Sequence, residues 1–403
     1  MIVSVLILAV VLVIFTLGKS PVFRVDRAGA AIIGATLTIA AGVLTFDEAV
    51  KAVDYRTIIL LFSMMLISSY MNTIGLFDYL GHYTMNRLHT SKGLLGVVIA
   101  VTGVLSAFLI NDIVCLLFTP VVISVCRRAK LQPLPYLLAV AMASNIGSAA
   151  TLIGNPQNIL IGSLSQISFA WYMLLALPMS IIGLLLTYFA LVKLYARELS
   201  QTLDLDTEHV RVKPIPRFLL FKGITVLLGV VLGFLLGFEP ALIASIGAAV
   251  LLITRRLKPN KVYAGIDYNL LIIFIGLFVV VGGVEHSGLF SSLLEKLKEI
   301  NFQAFMMLTV ILSNIVSNVP AVMLLQFIIP PEQSSIWWAN MAIFSTFAGN
   351  LTITGSIANL IVAELAKKNG ISIRFIDYLK IGLPVTLILV LIGMLYFKVL
   401  YGL

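Results

Sequence analysis

Long apolar segments recur along the whole chain and leave only short polar stretches between them. A helix needs about 20 apolar residues to cross a bilayer, and most of these segments reach or approach that length. Hydrophobic residues make up 60% of the chain and charged residues 11%, whereas soluble domains are about 45–50% apolar and about 25% charged. This excludes a soluble, disordered or nucleic-acid-binding protein and predicts an all-α polytopic membrane protein. The apolar segments lie at residues 2–18, 28–46, 57–77, 93–126, 131–163, 169–192, 218–238, 240–254, 268–284, 300–331, 333–363 and 381–400.

Two of these segments, 93–126 and 300–331, are too long for one span and too short for two. Polar residues interrupt each of them near the middle, at Asn111 and Asp112 in the first and at Asn318 in the second. A re-entrant hairpin, which turns at mid-depth and leaves on the side it entered, explains both segments. Such a turn is tolerated only where it lines a cavity or is buried in protein.

The chain also repeats itself. VDYRTIILLFSMM at 53–65 corresponds to IDYNLLIIFIGLF at 266–278, which lies 213 residues later. We therefore predict an N-terminal repeat at 1–197, a cytoplasmic linker at 198–213 and a C-terminal repeat at 214–403. Each repeat has five full spans and one hairpin, and because five is odd, the two repeats have inverted topologies. The same offset relates Gly34 to Gly247. With small gaps the same order relates Asn111 to Asn318, Asn145 to Asn350, Gly154 to Gly355, Asn158 to Asn359 and Pro178 to Pro384.

The basic residues give this topology an orientation. When loops are assigned alternately to the two sides, all but five of the 27 Lys and Arg residues fall on one side. The positive-inside rule makes that side cytoplasmic, which places both termini outside a plasma or bacterial inner membrane. The first hairpin then enters from the cytoplasm and the second from outside. Inverted repeats with broken helices predict a secondary transporter whose site lies near the midplane. The five exceptions are Lys51, Arg56, Lys296, Lys298 and Lys398.

Four segments rich in Gly, Ser, Thr, Asn and Pro interrupt the apolar sequence, and we predict that they form this site. Such residues let a helix unwind, which frees N–H groups that attract anions and oxygens that can coordinate Na⁺. The alternative is that small residues only allow close helix packing. The segments are LINDIVCLLFTPVV (109–122), ASNIGSAATLIGNPQN (143–158), SNIVSNVPAVM (313–323) and GNLTITGSIAN (349–359).

Asp112 is the only acid between Asp78 and Glu198, and the repeat places it at a hairpin tip. An ionisable group at that depth indicates function, either uptake of a coupling proton or binding of a cation. The alternative is that Asp112 caps the second helix of the hairpin. No Ser-His-acid set, His cluster or Walker-type Gly-x-x-x-x-Gly-Lys-Ser/Thr motif is apparent. We therefore expect neither an enzyme nor an ATPase, and no cofactor beyond a coupling ion, H⁺ or Na⁺.

At these residues the chain resembles a known superfamily. Asn111-Asp112 followed by Thr119-Pro120 resembles the first hairpin of arsenite/antimonite permeases, SNVPAVM at 317–323 is similar to their second hairpin, and residues 355–384 resemble their C-terminal region. The segment ASNIGSAATLIGNPQN is more similar to the melanosomal P protein and the divalent anion:sodium symporters. All belong to the ion transporter superfamily. The resemblance implies ten spans, two opposed hairpins, and a scaffold against which a transport part moves in an elevator-like alternating-access mechanism, often in a homodimer.

The resemblance also implies a set of substrate- or ion-binding positions, carried over motif by motif. They are Asn111, Asp112, Ser144, Asn145, Thr151, Gly154, Asn155, Asn158, Ser317, Asn318, Asn350, Thr352, Thr354, Gly355, Ser356 and Asn359. The hairpin tips read Asn-Asp-Ile and Ser-Asn-Val, where the sodium symporters have Ser-Asn-Thr. Asn145 stands where arsenite permeases have an aspartate.

Three functions are therefore considered. The first is arsenite or antimonite efflux coupled to protons through Asp112, to which a cytoplasmic ATPase subunit can be added. The second is Na⁺-coupled transport of a small anion such as a dicarboxylate, sulfate or phosphate, and the third is a Na⁺/H⁺ antiporter on the same fold. No Lys or Arg lies within 131–192 or 300–366, which favours a neutral metalloid over a dicarboxylate. The expected partners are the lipid bilayer and this small substrate, without nucleic acid.

Overall fold

The computed structural model describes residues 2–85, 90–200, 216–288, 300–330 and 334–402, and these residues form helices joined by loops. The first ten helices are α1 (Ile2–Leu17), α2 (Arg27–Ala40), α3 (Phe46–Ala52), α4 (Tyr55–Thr73), α5 (Leu76–Met85), α6 (Ser91–Phe108), α7 (Asn111–Arg128), α8 (Leu134–Ser148), α9 (Pro156–Ser165) and α10 (Phe169–Leu194). The others are α11 (Arg217–Leu235), α12 (Pro240–Leu252), α13 (Pro259–Tyr263), α14 (Tyr268–His286), α15 (Phe302–Val316), α16 (Asn318–Leu325), α17 (Ser334–Ala348), α18 (Ile357–Lys368) and α19 (Phe375–Tyr401). Within the described ranges there is no strand; Lys19 and Asp26 form an isolated bridge.

Five helices of the described chain, α6, α10, α11, α14 and α19, are long and apolar enough to cross a membrane. Several other apolar helices, among them α1, α2, α8, α12 and α15, have between 10 and 17 residues. The all-α membrane fold is confirmed. The count of ten spans and the entry side of each hairpin remain predictions.

Polar caps mark where several helices begin. Asp26 accepts a hydrogen bond from the N–H of Gly29 at the start of α2, and Asn301 accepts one from Ala304 at the start of α15. Thr45 and Glu48 form a reciprocal capping box at the start of α3. Each cap satisfies N–H groups that have no partner inside the helix.

The helices break where the sequence predicts interruptions. α6 ends at Phe108 and α7 begins at Asn111, while α15 and α16 meet at Ser317. The segments 149–155 and 349–356 separate α8 from α9 and α17 from α18. At Gly154 a Cβ atom would lie 2.4 Å from the Ser148 carbonyl oxygen and 2.6 Å from that of Ser106. Only glycine therefore lets this loop pack against the hairpin.

The two aligned glycines Gly34 and Gly247 pack in corresponding ways. A Cβ atom at Gly34 on α2 would lie 2.6 Å from Val11 on α1 and 2.9 Å from Val280 on α14. A Cβ atom at Gly247 on α12 would lie 2.4 Å from Val230 on α11 and 3.7 Å from Ile67 on α4. Close backbone approach at small residues is typical of membrane helix packing. α2 thus lies against α14, and α12 against α4.

Two of the remaining long helices, α10 and α19, pack against each other. The Tyr396 hydroxyl on α19 donates a hydrogen bond to the Leu175 carbonyl of α10 over 3.0 Å. The division into repeats at 1–197 and 214–403 and their inversion remain predictions. Residues 201–213 of the predicted linker 198–213 lie outside the described residues.

Candidate functional site

Asn145, in the last turn of α8, lies at the centre of a buried cluster of polar side chains. Its Oδ1 accepts hydrogen bonds from Asn111 Nδ2 at 3.1 Å and Ser356 Oγ at 2.9 Å. Its Nδ2 donates to Asn350 Oδ1 at 2.9 Å and Asn359 Oδ1 at 3.0 Å. The amide group uses its full capacity of two acceptor and two donor bonds. One side chain thus joins the first hairpin to the broken helices of both halves.

Backbone carbonyls hold the outer members of this cluster. Asn350 Nδ2 donates to the Met142 carbonyl at 3.1 Å, and Asn359 Nδ2 donates to the Gly349 carbonyl at 2.7 Å. The Tyr378 hydroxyl on α19 donates to Asn350 Oδ1 at 3.3 Å. The Gly349 carbonyl is available because α17 ends just before it, whereas Met142 lies inside α8.

A second buried network joins α9 to α17. Asn155 caps α9 by accepting from the N–H of Asn158, and its Nδ2 donates to Ser148 Oγ at 2.9 Å and Thr346 Oγ1 at 3.1 Å. Asn158 Nδ2 donates to the Thr151 carbonyl at 2.9 Å. The amides of the interrupted helices are therefore mostly bonded to each other and to free carbonyls.

A cavity of about 30 Å³ adjoins the first network. The helices α7, α9, α16 and α18 all begin at it, and a helix N-terminus carries a partial positive charge of about half a unit. Its lining includes one acid and no Lys, Arg or His. The cavity thus combines four positive helix ends, neutral amides and hydroxyls, and one carboxyl group. It is lined by Asn111, Asp112, Pro156, Gln157, Leu270, Ser317, Asn318, Val319, Ser356 and Ile357.

Asp112 lies in the first turn of α7 and faces this cavity. The N-cap of α7 is Ile110, and no side chain makes a capping hydrogen bond there, so the capping alternative is not observed. Within the described part of the chain the Asp112 carboxyl has no hydrogen-bond partner or ion pair. The carboxyl can therefore take up a proton or a cation from the cavity.

The second hairpin turns through a strained residue. Ser317 has φ 78° and ψ 159°, a region that is essentially restricted to glycine. In the first hairpin Ile110 keeps an ordinary extended conformation, with φ −64° and ψ 122°. Residues held in this way cost about 1–3 kcal/mol and cluster at functional sites, and Ser317 lines the cavity.

Several buried oxygens near the hairpin tips have no hydrogen-bond partner in the described structure. Asn111 Oδ1 and Asn318 Oδ1 are related by the repeat, and Ser106 Oγ and Ser313 Oγ share the same offset. Asn314 Oδ1 adds a fifth such atom in the second half. Buried polar atoms are nearly always satisfied by protein, water or ion. Neutral oxygens in pairs beside unwound helices are suited to a small hard cation such as Na⁺.

The structure brings most of the predicted positions together. Asn111, Asn145, Asn350, Ser356 and Asn359 form the first network, and Asp112, Ser317 and Asn318 line the cavity. Thr151, Gly154, Asn155 and Asn158 belong to the loop and network beside it.

The other predicted positions lie apart from the cavity lining. Ser144 donates to the Ala141 carbonyl and accepts from Cys115 Sγ, so it joins α8 to α7. Thr352 and Thr354 contact each other, and Thr354 is exposed. Gly355 lies against Asn314, with a Cβ contact of 2.8 Å, and therefore serves close packing.

Five polar residues of the site were not predicted. Gln157 lines the cavity, Ser148, Thr346 and Tyr172 belong to the second network, and Tyr378 belongs to the first. Gln157 lies inside the quoted segment 143–158, where its carboxamide was a usable signal. Tyr172 and Tyr378 lie in apolar spans, where the sequence gives no sign that their hydroxyls face a polar network.

The chain is similar to transporters along nearly its whole length. The family model described as CitMHS, citrate transporter, matches residues 10–348. The 46 kDa membrane protein of Mycobacterium leprae is 30% identical, over 98% of both chains. The silicon efflux transporter LSI3 of Oryza sativa subsp. japonica is 28% identical, over 93% of this chain and 92% of LSI3. The putative transporter arsB of Dictyostelium discoideum is 26% identical, over 92% of this chain and 86% of that protein.

Two solved structures share the fold. The YdaH transporter of Alcanivorax borkumensis superposes with a TM-score of 0.58 at 16% identity, over 99% of this chain and 97% of YdaH. MtrF of Neisseria gonorrhoeae superposes with a TM-score of 0.60 at 14% identity, over 98% of this chain and 94% of MtrF. These likenesses concern the fold alone.

Proposed function

The chain belongs to the citrate transporter (CitMHS) family, and we propose that it exports a small metalloid acid, most simply arsenite or antimonite, in exchange for protons. This membership confirms the predicted ion transporter superfamily and a transporter rather than an enzyme. The observation that supports the proposal is the Asp112 carboxyl, unpaired within the described structure, in a cavity with no basic side chain.

The cavity lining favours a neutral substrate. Arsenous acid is uncharged and offers hydroxyl groups that can exchange hydrogen bonds with the side chains of Gln157, Ser317 and Ser356 around the cavity. A citrate or dicarboxylate ion would bring two or three negative charges beside Asp112, and only the helix ends would oppose them. Relatives named for silicon efflux and as arsB agree with a weak, uncharged oxyacid.

In the mechanism we propose, Asp112 binds the proton and substrate in turn. The hairpins and interrupted helices move together against a scaffold of α2, α4, α12 and α14, so that the cavity opens alternately to each side. The inverted repeats make the two open states related by symmetry. The Lys- and Arg-rich side is cytoplasmic, both termini are outside, and the membrane is the plasma or inner membrane. In this proposal the protein forms a homodimer through the scaffold. A cytoplasmic ATPase subunit is an optional further partner.

The unpartnered oxygens favour a second candidate, Na⁺ coupling. Asn111, Ser106 and their counterparts Asn318 and Ser313 each present a buried oxygen without a partner in the described residues. With Na⁺ at these tips, the four helix ends would hold a small anion such as a dicarboxylate, sulfate or phosphate. A Na⁺/H⁺ antiporter, in which Asp112 binds either ion, uses the same groups.

The test is arsenite accumulation in cells that lack their own arsenic pumps. We expect lower accumulation with the wild-type protein than with empty vector, loss of this effect in Asp112→Asn, and no loss in Asp47→Asn, which changes an acid in the first turn of α3. Equal accumulation with wild type and empty vector would sink the metalloid proposal. Proteoliposomes with a Na⁺ gradient and radiolabelled citrate, succinate or sulfate then test the second candidate.

A further inference from the structure

A larger cavity, of about 280 Å³, lies at a different place in the fold. Three segments surround it, together with Leu152 and Ile153 in the loop between α8 and α9. They are the start of α4, the connection from α9 to α10 at 162–169, and the connection from α11 to α12 at 234–241. The first and third segments belong to helices of the proposed scaffold or their direct neighbours, and the second belongs to the broken-helix region. None of its lining residues lines the Asp112 cavity.

The inner wall of this cavity is apolar. The rings of Phe169 and Phe234 pack with their centroids 5.4 Å apart, and Leu60 and Leu152 extend the same wall. Phe238 at the edge is 58% exposed, so the apolar lining continues onto the surface that faces lipid. The volume equals about nine water molecules in the liquid.

Two charges of opposite sign stand at the edge of the cavity. Arg56 is exposed, and its guanidinium has no ion pair or side-chain hydrogen bond among residues 2–85, 90–200, 216–288, 300–330 and 334–402. One Glu239 oxygen accepts from the N–H of Leu242 at 2.7 Å and so caps α12. Arg56 and Glu239 form no salt bridge with each other. The edge therefore offers separate sites for a negative and a positive group.

We propose that this cavity binds a phospholipid whose headgroup carries a primary ammonium, as in phosphatidylethanolamine. Arg56 binds the phosphate and Glu239 binds the ammonium. The first part of an acyl chain occupies the cavity and packs against its apolar wall. The carboxylate of Glu239 disfavours a purely anionic lipid or a free anion, and the continuity with lipid-facing surface supplies the acyl chain. A quaternary ammonium has no N–H to donate, so a choline headgroup fits less well.

The bound lipid would connect the two parts of the molecule that the proposed mechanism moves. Ser163, which lines this cavity, donates a hydrogen bond of 2.5 Å to Asp54 Oδ2, the cap of α4. A lipid seated beside this contact stabilises the arrangement described here. The lipid site itself does not depend on the substrate of the transporter.

The test is the midpoint of thermal unfolding of the purified full-length protein in detergent, with phosphatidylethanolamine, phosphatidylcholine or phosphatidylglycerol added. For the wild type we expect phosphatidylethanolamine to raise the midpoint at least twice as far as either other lipid. Glu239→Gln should remove the preference for phosphatidylethanolamine over phosphatidylcholine. Arg56→Gln should reduce the midpoint shift caused by phosphatidylethanolamine and by phosphatidylcholine. Lys19→Gln, a change at a more open cavity that contains Lys19, Glu364 and Lys367, should behave like wild type.

Equal shifts from all three lipids in the wild type would overturn the proposal, as would a preference that survives in the Arg56→Gln, Glu239→Gln double variant. Native mass spectrometry of the same samples provides a second measurement. We expect one phosphatidylethanolamine molecule to be retained by the wild type and by Lys19→Gln, and to be lost from the double variant. Retention by the double variant would again contradict the assignment.

Discussion

The side-chain amide of Asn145 donates a hydrogen bond to Asn350 Oδ1 over 2.9 Å, and these two asparagines hold corresponding places in the two halves of the sequence. Asn145 lies in the last turn of α8, and Asn350 lies in the interrupted segment that follows α17. The bond ties together the two points where the helical backbone is interrupted, beside the cavity that contains Asp112.

Replacing Asn145 should therefore destabilise the whole site. Asn145→Ala removes the partner of Asn111 Nδ2, Ser356 Oγ and Asn359 Oδ1, while Asn350 Oδ1 keeps the Tyr378 hydroxyl. Each unsatisfied buried group costs about 1–3 kcal/mol. Allowing for relaxation and water entry, we expect a loss of about 3–5 kcal/mol, measured as a lower unfolding midpoint in detergent. Asn260→Ala, at an exposed residue, is the control and should change little. A midpoint for Asn145→Ala equal to that of the control would show that the network contributes no stability.

Much of this arrangement could be predicted from the sequence. The length of an apolar segment indicates a membrane helix, and polar residues within the segment indicate where the helix is interrupted. The polar, glycine-rich segments indicated where α8 and α17 unwind, and the repeat paired Asn145 with Asn350. The sequence could not indicate which partners each amide selects, since these depend on how the two halves pack. For the same reason Ser144 was predicted at the site, although it faces Cys115, whereas Tyr378 was missed.

Gly154 should tolerate no side chain. A Cβ atom there would lie 2.4 Å from the Ser148 carbonyl oxygen, and the Gly154 carbonyl accepts the Asn111 N–H at 2.9 Å at the hairpin tip. We expect Gly154→Ala to displace the loop, to cost about 2–4 kcal/mol by overpacking and loss of this bond, and to abolish transport. Gly229→Ala on α11, where nothing lies within 4 Å, should be neutral or stabilising by up to about 1 kcal/mol. Equal unfolding midpoints for the two variants would contradict this packing.

The protein should be more stable with glycine than with alanine at position 317. The φ of 78° with ψ of 159° at Ser317 strains any residue that has a Cβ atom, by about 1–3 kcal/mol. Glycine removes that strain, although its greater freedom in the unfolded chain offsets about 0.5–1 kcal/mol. We expect Ser317→Gly to raise the unfolding midpoint above that of Ser317→Ala, which lacks the hydroxyl but keeps the strain. The opposite order of the two midpoints would mean that the hairpin tip relaxes freely.

The capping box at the start of α3 should give the protein an acid-sensitive element outside the spans. Hydrogen bonds from the Thr45 backbone and side chain, aided by the charges of His286 and Lys51, hold the pKa of Glu48 below its usual value. A carboxyl group whose pKa is lowered on folding stabilises above its unfolded pKa, about 4.3 for glutamate, and loses this contribution as the pH falls through its folded pKa. The unfolding midpoint of Glu48→Gln should therefore lie below that of wild type at pH 7. The difference should shrink below about pH 4.3, and a difference independent of pH would contradict the assignment.

Replacing Gln157 should weaken substrate binding more than it lowers the stability of the fold. Gln157 lines the Asp112 cavity, and its Nε2 donates a long bond of 3.3 Å to Thr346 Oγ1, which leaves its carbonyl oxygen available to a hydroxyl of the substrate. A hydrogen bond to a neutral group contributes about 0.5–1.5 kcal/mol, so Gln157→Ala should raise the half-saturating arsenite concentration about twofold to tenfold. Everted membrane vesicles with a proton gradient give this concentration, and Gln132→Ala, at an exposed residue between α7 and α8, is the matched control. An unchanged half-saturating concentration with a reduced maximal rate would instead place Gln157 in the movement of α9 against α17.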